Sequence, residues 1–454
     1  MEENTILIRN GSVALPGNNN YLKKDILIEK GKIKDIKDKI EKKGSEEFDA
    51  TGMLVFPGAI DPHVHFDEPG FTDREDFFHG TSASASGGVT TIIDMPCASF
   101  PPVTDRKSLD NKLDHIKDKA VIDYGLFGGI SGFTFNNGFP ENALEIISDV
   151  MGFKTYLISG METFPRINHY QLEQIGHFSA KNNSIILVHA EDYDYINQAQ
   201  PIMQKKGSSP QFYYQSRPEI SELLAVSSVV DLAQLTGGHF HIVHEATAEA
   251  IDLISKTKVT CETCPHYLCF DNNDLIKLGS SLKSAPVVKS PKNKKTLWEH
   301  FVNGRINFLS SDHAPSRESE KNTGSIWTDY SGIPGSPTLW PYLYSKGLAS
   351  GKIPISLFLE LVSENAAKRY GFFDRKGSIE SGKDADLIFL DPDSSWIVSE
   401  KDLLSKGHIT PFDGMKLKGR IIKTMVRGVF VYDSRDGILV NKGFGFFLRP
   451  QKRK

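Results

Sequence analysis

Eight short apolar runs of strand-like composition recur along the middle of this chain, with helix-like stretches between most of them. No other feature limits the fold as tightly. The runs are Ala59–His65, Thr90–Met95, Val121–Phe127, Gly152–Leu157, Ser184–His189, His239–His244, Lys258–Thr263 and Ile306–Ser311. Glu141–Val150 and Ser221–Leu235 are examples of the helical stretches between them. Strands alternating with helices build parallel sheets covered on their faces. Eight such units predict an α/β fold, a (β/α)8 TIM-type barrel over residues 57–370. The ends of the chain have another texture. Thr5–Ile8 and Asp25–Ile28 are strand-like, with turns at Asn10-Gly and Glu29-Lys-Gly. Ala385–Leu390 and Thr424–Tyr432 are strand-like at the far end. Matching textures predict one small β-sandwich domain assembled from both termini, residues 1–56 and 371–454.

The chain's 454 residues suit a large barrel with a smaller companion. Its composition, 39% hydrophobic and 24% charged, supplies a sizeable core. A formal net charge of -4 leaves no electrostatic footprint for nucleic acid or for a membrane surface. The one basic cluster, Arg449-Pro-Gln-Lys-Arg-Lys454, reads as a solvated tail. The acidic start, Met1-Glu-Glu-Asn-Thr-Ile-Leu-Ile-Arg9, lacks the apolar stretch of a secretory signal. No apolar run is long enough to span a bilayer. Four cysteines in so long a chain do not make a disulfide framework, and a reducing, cytoplasmic setting is expected.

Polar residues fall where the strands end. His63 and His65 lie two apart, so on a strand they face one side. His189, His244 and Asp312 close the fifth, sixth and eighth runs. Active-site residues of such barrels come from the carboxyl ends of different strands. One buried histidine alone is usually a satisfied core residue. Four histidines and an aspartate that all track strand ends form a nitrogen/oxygen site suited to a borderline metal such as zinc. Lys154 sits inside the fourth run, where a lysine is costly unless paired or neutralised. Two readings stand for it. It reacts with carbon dioxide to give an anionic carbamate able to bridge two metals, or it snorkels to the surface.

Several segments carry a resemblance. They are Asp61-Pro-His-Val-His-Phe-Asp-Glu-Pro-Gly70, Gly87-Gly-Val-Thr-Thr-Ile-Ile-Asp-Met-Pro96, Thr260-Cys-Glu-Thr-Cys-Pro-His-Tyr267, Ser311-Asp-His-Ala-Pro315, Gly382-Lys-Asp-Ala-Asp-Leu387 and Pro411-Phe-Asp-Gly-Met415. In this order they resemble the cyclic amidohydrolases, the group of allantoinases, dihydroorotases and dihydropyrimidinases (hydantoinases). The resemblance covers nearly the whole chain. It implies two zinc ions per chain, one held by His63, His65 and Asp312 and the other by His189 and His244. Lys154, carbamylated, would be shared between them. It implies hydrolysis of a cyclic amide or ureide, with Asp312 taking a proton from the attacking water and delivering it to the leaving nitrogen. His266 marks the neighbourhood of the site without being a ligand. The Cys261/Cys264 pair reads as structural, because no second such pair exists and residues three apart on a strand face opposite sides. Gly87-Gly88 reads as a turn. Family members that have lost metal ligands serve as binding proteins, but all six ligand positions are filled here. A homo-oligomer, dimer or tetramer, is expected.

The ring is read from the loops. Dihydroorotases place an arginine two residues after the second histidine to grip a carboxylate. Here that place holds Asp67, which would repel one. Their Met-Pro-Asn is here Met95-Pro-Cys97. Arg74 or Arg166 could substitute, but no motif supports either. Met95 to Arg106, Gly152-Phe-Lys154 and Trp298 to Asp312 resemble allantoinases, whereas Glu75-Asp-Phe-Phe-His-Gly-Thr81 resembles hydantoinases. The family's Ser-Pro-Pro-(Leu/Ile)-Arg is here Ala285-Pro-Val-Val-Lys289. Asp67, Cys97, Ala285 and Gly332 are the candidate substrate contacts. Allantoin is the expected substrate, with hydantoin or dihydropyrimidine rings and dihydroorotate as alternatives.

Overall fold

The computed structural model describes residues 5–451. The amino-terminal reading for Met1 to Asn4 and the end of the basic tail, residues 452–454, lie outside the described residues.

All eight middle runs form strands, and they pair in parallel with their sequence neighbours. Ala59–Val64, Val89–Asp94 and Asp123–Leu126 make a three-stranded sheet. Gly128–Gly129, Phe153–Tyr156, Ile185–His189, His239–Ile242, Thr260–Thr263 and Phe308–Leu309 make a six-stranded one, in chain order. The third run supplies strands to both sheets, Asp123–Leu126 to one and Gly128–Gly129 to the other. Val64 and His313 form an isolated parallel bridge, so the first strand also meets the segment that follows the last. These strands are buried on both faces, which keeps most of their residues apolar. Every residue of Val89–Asp94 and of Ile185–His189 is buried.

The helices begin and end on readable signals. The Glu219–Thr236 helix starts after Pro218 with two acids in its first turn and stops at Gly237, whose φ is 72°. Arg106–Ile116 is capped by Asp105, whose carboxylate accepts from the Ser108 backbone N–H. The helix expected over Glu141–Val150 closes earlier, at Ile146.

The two termini do meet in one sheet. Nine strands, from Thr5–Val13 to Gly437–Ile438, run in a mostly antiparallel sheet in which Leu54–Pro57 pairs with Leu387–Ile397. The stretch expected as one strand at Thr424–Tyr432 is a hairpin. Lys416–Val426 and Val429–Asp433 flank a two-residue turn with φ of 48° at Arg427 and 72° at Gly428. The carboxyl-terminal segment is less solvated than a free tail. Leu448 is buried and its N–H donates to the Tyr124 carbonyl, while Arg449 pairs with Asp149 at 2.6 Å. Among the described residues no helix is long and apolar enough to cross a membrane. All four cysteines are free.

Candidate metal centre

Strand ends place the six expected ligands. His63 lies within Ala59–Val64 and His65 just past it. Lys154 lies in Phe153–Tyr156, and His189 is the last residue of its strand. His244 and Asp312 follow their strands by two and three residues, and both hold left-handed backbone, φ 41° and 49°. The Asp312 carboxylate reaches His63 Nε2 at 3.4 Å and His65 Nε2 at 3.3 Å. The ligand atoms of these three residues all lie within 4.8 Å of one another. The second group forms opposite. His189 Nδ1 and His244 Nε2 are 3.0 Å apart, and the His244 ring centroid is 5.2 Å from that of His63.

Carboxylates behind the imidazoles fix their orientation. Glu262 Oε1 lies 2.5 Å from His63 Nδ1, and its other oxygen 3.2 Å from His241 Nε2. Glu191 Oε2 lies 3.0 Å from His189 Nε2 and accepts from Arg217 at 2.7 Å. The inward-facing nitrogens, His63 Nε2 and His189 Nδ1, are thereby left to point at the centre, as in metal sites generally. Burial holds His63, His189 and His244 below the usual imidazole range, and the Lys154 ammonium lowers all three further. The neighbouring imidazoles hold the Asp312 carboxyl well below the usual range despite its burial.

Lys154 is fully buried, and its Nζ has no hydrogen-bond partner among the described residues. It does not snorkel. Its Nζ lies 4.8 Å from the centroid of the Tyr156 ring. Burial lowers its ammonium to about 8. A buried amine without a partner, whose charge acts on His63, His189 and His244, is an unsatisfied element of the centre. His63 Nε2 and His244 Nδ1 are likewise buried without a hydrogen-bond partner among the described residues. Neutral imidazoles, a carboxylate and an amine able to become anionic suit two divalent cations, and by this donor chemistry the residues fit a binuclear metal group.

The remaining expected residues fall around this centre. Cys97 is buried, with Sγ 3.0 Å from the Tyr156 hydroxyl and 3.8 Å from His65 Nδ1. Asp67 is buried two residues beyond His65. Ala285 is half-buried on the loop before the Pro291–Val302 helix, a loop held by Tyr213 OH donating to the Ser284 carbonyl. Gly332 packs so closely that a Cβ there would sit 2.2 Å from the Ala314 carbonyl, and its N–H donates to Lys283. His266 is buried with Nε2 free of partners, and burial lowers it to about 4. Cys261 and Cys264 are buried free thiols, with Cys264 one residue past the end of its strand. Arg74 donates to Glu320, from Nε to Oε1 and Oε2 at 3.0 and 3.1 Å and from Nη2 to Oε1 at 2.8 Å. Arg166 lies over the Tyr193 ring at 3.7 Å. Glu262, Glu191, Arg217 and Tyr156 escape sequence reading as functional residues. Their signals were present: a carboxylate in the buried Thr260–Thr263 strand, another two residues after His189, and a tyrosine two residues after Lys154.

The chain matches the amidohydrolase family over residues 54–431. An allantoinase from Rubrobacter xylanophilus is 35% identical, with 99% of this chain and 98% of that protein covered. An allantoinase from Salmonella choleraesuis is 31% identical, covering 98% and 99%. Among solved structures, the L-hydantoinase (dihydropyrimidinase) from Arthrobacter aurescens superimposes with a TM-score of 0.92 at 30% identity, covering 99% and 100%. The dihydropyrimidinase from Brevibacillus agri gives 0.91 at 27%, covering 99% and 100%. With the family match spanning most of its length and full-length relatives above 30% identity, this chain belongs to the amidohydrolase family.

Proposed function

We propose that this protein hydrolyses the C–N bond of a cyclic amide or ureide at a binuclear zinc centre, with allantoin as its first substrate. One observation carries the reading: the partnerless, buried Lys154 amine, whose charge acts on His63, His189, His244 and Asp312. Carbamylation would turn that amine into a shared anionic ligand. His63, His65 and Asp312 would hold one zinc, and His189 and His244 the other. Two cations held there would supply a water of lowered pKa and would polarise the ring carbonyl.

The protein's own groups do the rest. Asp312 accepts the proton of the attacking water and delivers it to the ring nitrogen as the C–N bond breaks, leaving a carboxylate and an amine or urea nitrogen. The Tyr156 hydroxyl is kept protonated by burial and remains a neutral donor beside the reacting group. Cys97, Ala285 and Gly332 shape the ring's surroundings. Dihydroorotate is disfavoured, because Arg74 is already paired with Glu320 and Arg166 donates to the Ile167 carbonyl and lies on Tyr193. The allantoinase relatives favour allantoin, and the hydantoinase structures make hydantoin the next ring to try.

The parallel strands are read as a closed (β/α)8 barrel over residues 57–370, for which the Val64–His313 bridge is the supporting contact. Residues 1–56 and 371–454 are read as one β-sandwich domain. Free cysteines suit a reducing cytoplasm, and exposed apolar side chains such as Leu235 suit a homo-oligomer, dimer or tetramer. The test is zinc-loaded protein assayed against allantoin, hydantoin, dihydrouracil and dihydroorotate, with metal counted on the same sample. Ring opening with two metals per chain is expected. No opening of any ring at full metal occupancy would overturn the reading.

A further inference from the structure

The proposed metal ligands gather toward the carboxyl ends of the parallel strands. A separate cavity, of about 450 Å³, opens at the amino ends of the same strands. One wall is a row of strand starts. His239 and Thr260 are the first residues of their strands, and Asn307 immediately precedes Phe308–Leu309. The other wall is the Asn365–Tyr370 helix. Its Asn365, Lys368 and Arg369 stand at i, i+3 and i+4, so they share one face. Among the described residues no carboxylate lines this cavity, and none of the six is a proposed metal ligand.

The walls are fixed by hydrogen bonds before any ligand arrives. Asn365 Nδ2 donates to the Asn307 carbonyl at 2.8 Å, which ties the helix to a strand start. Arg369 Nη2 donates to the Phe240 carbonyl at 3.3 Å, beside the start of the next strand. Lys368 is held by Glu364 at 2.9 Å, so its charge is largely offset and Arg369 supplies the net positive charge. Asn307 turns its Oδ1 to the Cys261 N–H, which donates at 2.9 Å, and the two hydrogens of its Nδ2 are left for the cavity. Basic residues in a last helical turn also offset the helix dipole. That explains the two cations, but not an amide donor opposite them or a wall without acids. A guanidinium is a planar, permanent cation whose donors match phosphate and carboxylate oxygens. We propose that this cavity binds a small oxyanion, the phosphate or carboxylate group of a small polar molecule, through Arg369 and Asn307.

The experiment is calorimetry on the zinc-loaded, full-length chain, titrated with inorganic phosphate and, separately, with malonate. Wild type is compared with Asn307→Asp and Arg369→Gln. Asn307→Asp keeps the oxygen that accepts from Cys261 and sets a carboxylate against the ligand. Arg369→Gln removes the cation. Any anion that binds zinc instead is common to all three proteins, because neither residue belongs to the metal centre. Wild type should show saturable binding that each variant weakens by about tenfold or more, the worth of one charge-assisted bond. A variant-sensitive response to phosphate alone assigns a phosphate group, to malonate alone a carboxylate, and to both the shared oxyanion chemistry. Wild type that binds neither anion at millimolar concentration, or binding equal in all three proteins, overturns the site. Zinc content and urea midpoint show that the variants are folded, and if Asn307→Asp is not, Arg369→Gln decides. No arm needs ring opening, so the site stands or falls apart from the hydrolysis reading.

Discussion

Asp67, His244 and Asp312 share left-handed backbone with φ between 41° and 57°, and none of them is glycine. Such positions cost about 1–3 kcal/mol each and persist where the surroundings over-determine them. Asn tolerates this conformation well, so Asp312→Asn should fold while losing the proton carrier and a ligand charge. We expect kcat to fall by at least about 10²–10⁴-fold. Near wild-type turnover in a folded, metal-loaded variant would remove Asp312 from the chemistry. Lys154 permits a pH test. Only the neutral amine reacts with carbon dioxide, and burial lowers its ammonium from the usual 10.5 to about 8. At fixed dissolved carbon dioxide, carbamylation of metal-depleted protein should therefore speed up as pH rises and level off above about 8. A lysine in water would keep accelerating towards 10.5. Reloading followed by regain of activity measures this, and a rate still climbing at pH 10 would contradict it. Lys154→Ala should lose metal and activity, with partial rescue by propionate. At this scale the sequence was legible where chemistry and periodicity coincide. His63, His65, His189, His244 and Asp312 all track strand ends. Lys154 was undecided because a long side chain in a strand can reach water, and only its packing excludes that.

Strands, and residues just past their ends, carry the proposed ligands and also the groups that would aim them. Glu262, in Thr260–Thr263, touches His63 and His241 with its two oxygens, and Glu191 ties His189 to Arg217. Outer carboxylates of this kind are typically worth about 10–100-fold in metal affinity or activity. Glu262→Gln should lower zinc affinity by about that factor and leave the fold intact, since the amide keeps the shape and one acceptor. Competition with a chelator reads it directly, and unchanged zinc affinity would deny Glu262 its orienting role. The eight middle runs could be read from composition because burial on both faces keeps most of their residues apolar. Glu262 was hidden by the same logic. A carboxylate in such a run is visible as an anomaly, but its partner His63 lies 199 residues away, and no local pattern joins them. The Thr424–Tyr432 hairpin was missed for a different reason. Arg427 takes left-handed backbone that its type does not announce, and the turn is only two residues long.

The terminal sheet and the parallel strands are locked by charge as well as by apolar packing. Lys376 is fully buried with its Nζ 2.8 Å from Asp123, 2.6 Å from Asp386 and 3.4 Å from Asp384. Asp123 belongs to a parallel strand, and it also accepts from the Phe446 N–H near the carboxyl end. Asp386 accepts from the Arg427 N–H inside the terminal hairpin. One cation thus joins three parts of the chain that sequence order keeps far apart. Nothing local in Arg375-Lys-Gly377 signals it, which is why a reading by segments finds the terminal sheet and the parallel strands and not what fastens them. Removing one partner of a buried ion cluster costs about 3–5 kcal/mol, because the other charges stay buried without compensation. Lys376→Met has similar bulk but no charge, and it should leave Asp123, Asp384 and Asp386 facing one another, with Arg375 still on Asp384 and Arg427 still on Asp123. We expect its urea midpoint to fall by an amount matching that cost, in metal-loaded and metal-depleted protein alike, because Lys376 is not part of the metal centre. Zinc content and kcat of the folded fraction should stay near wild type. A midpoint within experimental error of wild type would mean that apolar contacts alone hold the terminal sheet to the parallel strands. A loss of zinc at unchanged midpoint would mean instead that the network reaches the metal centre through Asp123 and its strand.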